Sequence, residues 1–155
     1  MLDGIHKIHL IGIGGSGMRA IANILIQKGY DVSGSDIAES AVISKFRDMG
    51  ATVHIGHNKE YVNGVDAIVR STAIREDNPE IVAAKEQGIA ILHRSDIVKA
   101  VLDVTDGIAV AGAHGKTSTT SMIGQILVEA NADPTVIIGG EVDYLKGSSC
   151  LGKGH

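Results

Sequence analysis

A glycine-rich turn near the amino terminus has the residue types that bind a pyrophosphate. Residues 12–17 read Gly-Ile-Gly-Gly-Ser-Gly, which fits the pattern G-x-G-x-x-G, and Asp36 follows about 20 residues later. Glycines let the backbone approach a phosphate, whose charge is met by free amides at the positive end of a helix dipole. Asp36 is placed to accept hydrogen bonds from ribose hydroxyls. The turn is predicted to bind a nucleotide, and alone it favours NAD; glycines that only allow tight packing of helix on strand are the alternative.

A second and different candidate phosphate loop occupies residues 112–117. It ends in the Gly-Lys-Thr of a Walker A sequence, but Val110 stands where the standard pattern has glycine, so the loop is a shortened variant. Lys116 is predicted to be the catalytic residue that reaches the β- and γ-phosphates of ATP, and the Thr117 hydroxyl is predicted to bind Mg²⁺. A chance Gly-Lys-Thr is the alternative. The predicted ATP-binding residues are Gly112, Ala113, His114, Gly115, Lys116, Thr117 and Ser118.

The seven histidines raise the question of a metal site. His6 and His9 are three residues apart on or beside a strand, which sends them to opposite faces, and His54 and His57 have the same spacing across a strand end. Neither pair is predicted to bind zinc. His57 is predicted to be a solvated histidine, and a ligand contact from its position after a strand is the alternative.

The elements that must position these residues alternate between strand and helix. Strands are predicted at residues 7–13, 30–35, 51–55, 66–70 and 89–92, and helices after the glycine turn and at residues 39–49, 79–88 and 95–102. This alternation predicts an α/β fold, a Rossmann-like parallel sheet with helices on both faces. Ligands of such sheets bind at the carboxyl ends of the strands. The residues directly after each strand are therefore candidates: 12–17, 35–36, 56–57, 71–73 and 93–94.

A domain boundary is predicted after residue 103. Residues 1–103 would form the nucleotide-binding domain, and residues 104–155 would begin an ATP-binding domain with a strand at 107–111, the phosphate loop and a helix at 116–130. The second unit of about fifty residues is too short for a stable domain of this type. The chain is therefore expected to stop in the middle of its second domain.

Composition argues against several classes of protein. The 155 residues are 44% hydrophobic and 21% charged with a net charge of −4, which is typical of a globular chain and gives no electrostatic support for nucleic-acid binding. Cys150 is the single cysteine and the first residues do not resemble a secretory signal, so a cytoplasmic location is expected. The apolar runs are shorter than the roughly 18 residues of a membrane span. Neither nucleic acid nor a membrane is expected as a partner.

Several motifs in a fixed order resemble the amino-terminal third of the Mur ligases. They are G-I-G-G-S-G-M at 12–18, V-S-G-S-D at 32–36, S-T-A-I at 71–74, D-N-P-E at 77–80, A-G-A-H-G-K-T at 111–117 and I-G-G-E at 138–141. Ordered motifs over nearly the whole chain are more specific than either glycine loop alone. Ala113 departs from the family, which usually has Thr there, but only its backbone amide is needed for binding.

The resemblance implies a three-domain, ATP-dependent ligase of peptidoglycan biosynthesis. L-alanine would be joined to the lactyl carboxylate of UDP-N-acetylmuramate through an acyl phosphate, with ATP and Mg²⁺ as cofactors. On this hypothesis the residues that bind the UDP-sugar are Gly12, Gly14, Gly15, Ser16, Gly17, Asp36, Ser71, Thr72 and Ala73. The acidic residues that complete the Mg²⁺ site in the family would follow residue 155, so this chain is not expected to catalyse alone.

Two other interpretations follow from the same residues. The glycine turn and Asp36 also suit an NAD(P)-dependent oxidoreductase or an NAD-sensing regulatory domain. The shortened phosphate loop argues against that hypothesis. A regulatory or interaction module without catalysis is neither required nor forbidden by the sequence.

Overall fold

A five-stranded parallel sheet forms the centre of the molecule in the computed structural model, which describes residues 2–145 and 147–154. Its strands are β1 (Lys7–Ile11), β2 (Asp31–Asp36), β3 (Thr52–Ile55), β4 (Ala67–Arg70) and β5 (Ala90–His93). The spatial order is β3-β2-β1-β4-β5, so the direction of winding reverses between β1 and β4. Nucleotides bind at such a reversal, outside the carboxyl ends of the strands.

Helices cover both faces of this sheet. They are α1 (Ser16–Gln27), α2 (Ala41–Asp48), α3 (Pro79–Gln87) and α4 (Arg94–Leu102), with a 3₁₀ helix at Lys59–Val62. Successive side chains of a strand point to opposite faces, and β1 shows this alternation: Leu10 packs in the cluster that contains α1, while Ile11 packs in the cluster that contains α3. The predicted Rossmann-like sheet with helices on both faces is confirmed. Among the described residues, no helix is long and apolar enough to cross a lipid bilayer.

The ends of α3 follow from local sequence signals. The Asn78 side-chain oxygen accepts a hydrogen bond from the Glu80 amide at 2.9 Å, and Pro79 occupies the first helical position, where its missing amide hydrogen is not needed. Gly88 ends the helix in the left-handed conformation, with φ 68°. The predicted start and end of this helix are confirmed.

The part of the chain after α4 contains one long helix and a hairpin. The helix is α5 (Lys116–Glu129), and the hairpin pairs β6 (Val136–Val142) with β7 (Gly147–Cys150) in the antiparallel direction. The hairpin packs on α1, where Asn23 Nδ2 donates to Ser149 Oγ at 3.0 Å. The prediction of α5 is confirmed, whereas the sequence did not predict the hairpin.

The predicted strand at residues 107–111 is wrong, since these residues adopt no regular secondary structure. A strand is stable only when a neighbour pairs with its backbone, and no strand within the described ranges pairs with this segment. The apolar face of α5 is also only partly covered, because Met122 and Ile126 are 58% and 65% exposed. Ile123 and Leu127 instead line a cavity of about 310 Å³ beside the extended segment.

Candidate functional site

The glycine turn connects β1 to α1 and leaves the helix amino terminus open. The amides of Gly12 and Ile13 donate to the Ser35 carbonyl at 2.8 and 3.0 Å, which fixes the turn against β2. Gly15 is the N-cap of α1 and provides no side-chain cap. The first amides of the helix are therefore available to an anion, as the motif predicts.

Asp36 lies against this turn. Its Oδ2 accepts a hydrogen bond from the Gly14 amide at 2.8 Å, and its Oδ1 accepts one from the Ile37 amide at 2.8 Å. A Cβ atom at position 14 would lie 2.9 Å from Asp36 Oδ2, so a glycine is needed for this approach. The structure thus brings together two parts of the predicted site. It also shows that the carboxylate supports the turn, while each oxygen keeps a lone pair for a ligand hydroxyl.

The loop after β4 lies beside the same turn. Ser71, Thr72 and Ala73 form a tight bend in which the Ile74 amide donates to the Ser71 carbonyl at 3.2 Å. The Ile74 side chain lies 3.4 Å from the position that a Cβ atom on Gly12 would occupy. The carboxyl ends of β1, β2 and β4 therefore present one continuous edge, on which all nine residues predicted to bind the UDP-sugar are found.

Two arginines, Arg94 on α4 and Arg19 on α1, lie beside the glycine turn. A Cβ atom at Gly17 would overlap the guanidinium group of Arg94, which begins α4, so the cation lies at the amino terminus of α1. Arg19 Nε donates to the Gly14 carbonyl at 2.7 Å, and its Nη1 donates to Glu141 Oε1 on β6 at 2.6 Å. Arg94 was among the candidate residues predicted from their position directly after a strand. No local sequence signal indicates the contact of Arg19 with Glu141, because these two residues are distant in the chain.

The second phosphate loop lies at the amino terminus of α5 and is exposed throughout. Gly115 caps the helix in the left-handed conformation with φ 78°. Lys116 folds back over the loop, and its Nζ donates to the carbonyls of Gly112 and Ala113 at 2.5 and 3.1 Å. The methyl group of Thr117 lies 3.5 Å from the position that a Cβ atom on Gly140 would occupy. The I-G-G-E segment on β6 is thus a neighbour of this loop.

A buried hydrogen-bond network lies beneath the edge that the carboxyl ends of β1, β2 and β4 form. Glu80, in the first turn of α3, has no exposed surface. Its carboxylate accepts hydrogen bonds from His9 Nε2 at 3.2 Å, from Ser35 Oγ at 2.8 Å and from His57 Nδ1 at 3.1 Å. The prediction that His57 is a solvated histidine is wrong, because this side chain is only 22% exposed and its ring is bonded to Glu80. An acidic residue in the first turn of a helix usually faces water, so the sequence carries no signal for this arrangement.

The network holds Glu80 in its charged form. Burial by itself raises the pKa of the Glu80 carboxyl, but hydrogen bonds from His9 and Ser35, electrostatic attraction to His9 and the hydrogen bond from His57 outweigh burial. The pKa therefore lies below its ordinary value of 4.5. Within the residues that the structure describes, no group of three or more histidine, cysteine or acidic side chains could hold a metal ion. We therefore interpret the cluster as a network of hydrogen bonds.

The lowered pKa of Glu80 predicts a contribution to acid unfolding. A carboxyl whose pKa is lower in the folded state contributes stability above pH 4.5, its ordinary pKa, and loses it as the pH falls through the folded-state pKa. We expect Glu80→Gln to lower the free energy of unfolding at pH 7 by about 2 kcal/mol and to lose less stability than the wild type on acidification. Urea unfolding followed by circular dichroism at several pH values measures both quantities. Glu86→Gln, an exposed position of the same helix, is the control, and equal acid sensitivity of Glu80→Gln and wild type would contradict the assignment.

Comparison with protein families gives a match to the model described as "Mur ligase family, catalytic domain", over residues 7–104. The matched segment contains the five parallel strands and the glycine turn, and it ends before the second phosphate loop.

Curated relatives and solved structures resemble the chain over nearly its whole length. The UDP-N-acetylmuramate–L-alanine ligase of Solidesulfovibrio magneticus is 46% identical over 155 residues, covering 100% of this chain and 34% of the relative. The ligase of the same name from Chlorobaculum parvum is 49% identical over 150 residues, covering 96% and 32%. The crystal structure of UDP-N-acetylmuramate-alanine ligase MurC from Thermotoga maritima has a TM-score of 0.88 at 35% identity and covers 96% of this chain and 35% of that one. The chain thus spans about a third of the length of these relatives.

Proposed function

The chain belongs to the Mur ligase family, and on that premise we propose that it is the amino-terminal part of an enzyme that joins L-alanine to UDP-N-acetylmuramate. The observation that carries the proposal is the identity of 46% over the whole chain to a protein named for that reaction. Both phosphate loops lie at helix amino termini, as such a reaction requires. The proposed setting is peptidoglycan biosynthesis in the cytoplasm.

We assign the two loops to two domains. Residues 1–103 form the UDP-sugar-binding domain, and residues 104–155 are the beginning of the ATP-binding domain. The five-stranded sheet and its helices are complete at Leu102, and the family match ends at Val104, which supports this division. Met122 and Ile126 on α5 are exposed within the described residues and do not pack on the five-stranded sheet, which supports assigning α5 to a separate unit.

The glycine turn is assigned to the pyrophosphate of the nucleotide sugar. The open amino terminus of α1 supplies backbone amides, and the guanidinium group of Arg94 adds a positive charge beside them. Asp36 at the end of β2 is placed for the hydroxyls or base of uridine. The loop of Ser71, Thr72 and Ala73 completes the edge on the side of β4.

The second loop is assigned to ATP. Amides from Ala113 to Ser118 surround the phosphates, and Lys116 exchanges the carbonyls of its own loop for phosphate oxygens. The Thr117 hydroxyl offers one oxygen to Mg²⁺, which fits an ion that usually keeps several waters and phosphate oxygens as ligands. Bound Mg²⁺ would neutralise charge on the β- and γ-phosphates.

The proposed reaction has two steps. An oxygen of the lactyl carboxylate attacks the γ-phosphorus of ATP, and the bond to the β–γ bridging oxygen breaks so that ADP leaves with the electron pair. The amine of L-alanine then attacks the acyl phosphate, inorganic phosphate leaves, and the amine loses a proton to give the amide. Lys116 follows the negative charge that moves onto the bridging oxygen in the first step.

Ligand titration separates this function from the NAD alternative. We expect this chain to bind UDP-N-acetylmuramate and UDP in calorimetry and to show no detectable binding of NADH, since the family match favours a nucleotide sugar at the glycine turn. Mixed with ATP, UDP-N-acetylmuramate and L-alanine, the same chain should release no ADP, because it spans only about a third of the length of the relatives named for this reaction. Binding of NADH without UDP would contradict the assignment. Release of ADP that depends on both other substrates would contradict the proposed division into domains.

A further inference from the structure

We propose that His57 contacts the UDP moiety through its Nε2 atom, and that the buried Glu80 is a positioning residue that fixes the His57 ring for this contact. The inference deepens the proposed function and rests on it. His57 lies outside both phosphate loops, and Glu80 lies beneath the site.

The hydrogen bonds of Glu80 determine which ring nitrogen of His57 carries a proton. In addition to His9, Ser35 and His57, the Asn58 amide donates to Glu80 Oε1 at 3.3 Å, so the carboxylate is surrounded by donors. An ionised carboxylate only accepts hydrogen bonds, so His57 Nδ1 must be the donor. The hydrogen bonds of His57 in the described part of the chain all use Nδ1. Nε2 is the nitrogen that remains for a ligand.

The same network is connected, through Ser35 and through Gly56, to the edge formed by the carboxyl ends of β1, β2 and β4. The Ser35 hydroxyl donates to Glu80, while the Ser35 carbonyl accepts from the amides of Gly12 and Ile13 in the glycine turn. The Gly56 amide, next to His57, donates to the Asp36 carbonyl at 2.7 Å. His57 therefore follows β3 beside the residue assigned to uridine, and its ring is braced by the residue that also fixes the turn.

Stabilising the fold does not by itself require a charged carboxylate at position 80. Burying a carboxylate is costly unless every oxygen is satisfied, and an apolar side chain could fill the same volume at lower cost. What the charged network supplies is a fixed ring orientation and a fixed proton on Nδ1. His54, on the strand that precedes His57, shows the contrast: its ring stacks on Tyr61 with the ring centroids 4.0 Å apart, which needs no charged partner.

The first experiment compares two histidine variants of this chain. We expect His57→Ala to weaken UDP binding by about tenfold, the scale of losing one hydrogen bond whose partner is left unsatisfied. His54→Ala is the matched control and should leave the affinity unchanged. Titrating UMP as well tests the direction of the bond, because Nε2 of this tautomer only accepts a hydrogen bond and its partner must be a ribose hydroxyl or the uracil imide. The loss of affinity should therefore be equal for UMP and UDP, and a larger loss for UDP, which would require a contact to the β-phosphate, would overturn the proposal.

The second experiment tests positioning by Glu80. We expect the ¹⁵N NMR signals of the His57 ring to show a protonated Nδ1 and to shift at Nε2 when UDP is added. Glu80→Gln should weaken UDP binding to the level of His57→Ala, and the double variant should bind no more weakly than either single variant. If the carboxylate only stabilised the fold, Glu80→Gln would lower the free energy of unfolding without this non-additivity in affinity.

The possible results distinguish failure of the proposed function from failure of the His57 contact. If the wild-type chain fails to bind UDP, the proposed function and this inference are both overturned. If the wild type binds UDP while His57→Ala binds it equally well, or the His57 ring signals do not shift with UDP, this inference alone is overturned. Additive losses of affinity in the double variant would overturn the positioning role of Glu80.

Discussion

Replacing Lys116 by alanine in the complete ligase is expected to lower turnover by about 10³-fold or more, on the scale of other contacts that stabilise a transition state. No other lysine or arginine lies between Lys99 and Lys146 in the sequence, so the variant removes the only permanent cation of the second loop. The affinity for UDP-N-acetylmuramate should hardly change, because the two loops belong to different domains in our proposal. ADP formation and calorimetry on the same preparation measure the two quantities.

A matched control is Lys99→Ala, which removes an exposed lysine of α4 that forms an ion pair with Asp103. We expect this variant to keep both properties. Near-normal turnover of Lys116→Ala would remove residues 112–117 as the ATP loop. Loss of turnover and of substrate affinity together would mean that the fold is damaged or that the two sites are not independent.

Replacing Gly15 by valine is expected to abolish detectable binding of UDP and UDP-N-acetylmuramate while the fold survives. The backbone of Gly15, with φ −64° and ψ 144°, lies in a region that any residue adopts, so the substitution introduces no backbone strain. Its branched side chain would instead stand at the open amino terminus of α1, where the pyrophosphate must approach. Calorimetry measures the binding, and thermal unfolding followed by circular dichroism checks the fold.

Gly15→Ala provides a graded comparison. A single Cβ atom would lie 3.2 Å from the Gly12 carbonyl oxygen, which is tight but requires only a small shift. We expect this variant to bind UDP more weakly than the wild type and more strongly than Gly15→Val. Unaltered UDP binding by Gly15→Val would show that the site is misplaced.

Local patterns in the sequence were sufficient to predict the parallel sheet. A strand buried on both faces appears in the sequence as a short apolar run. Residues such as Asn78, Pro79 and Gly88 mark where a helix begins and ends. The positions after the strands then follow from topology, which is why the glycine turn, Asp36 and the loop of Ser71 were predicted to share one edge. These features depend on neighbours in the chain or on a general rule for parallel sheets.

The features that could not be predicted depend on distant partners. The strand expected at residues 107–111 has a suitable sequence, but pairing with a neighbouring strand decides whether it forms. Glu80 has the sequence context of an exposed helix residue, and only the folded chain shows His9, Ser35 and His57 around it. Arg19 reaches Glu141 across the hairpin contact, and no spacing rule connects residues so far apart.

The order of the elements along the chain has a consequence for synthesis on the ribosome. All five strands of the parallel sheet and α4 are synthesised by Leu102, whereas the β6–β7 hairpin follows only at Val136–Cys150. The five-stranded sheet can therefore fold before the hairpin is available to pack on it. The β6–β7 hairpin then reaches a finished surface on α1, where Arg19 and Asn23 provide fixed hydrogen-bond partners for it. In this order of synthesis, the folded sheet and α1 would form the surface on which the hairpin is positioned.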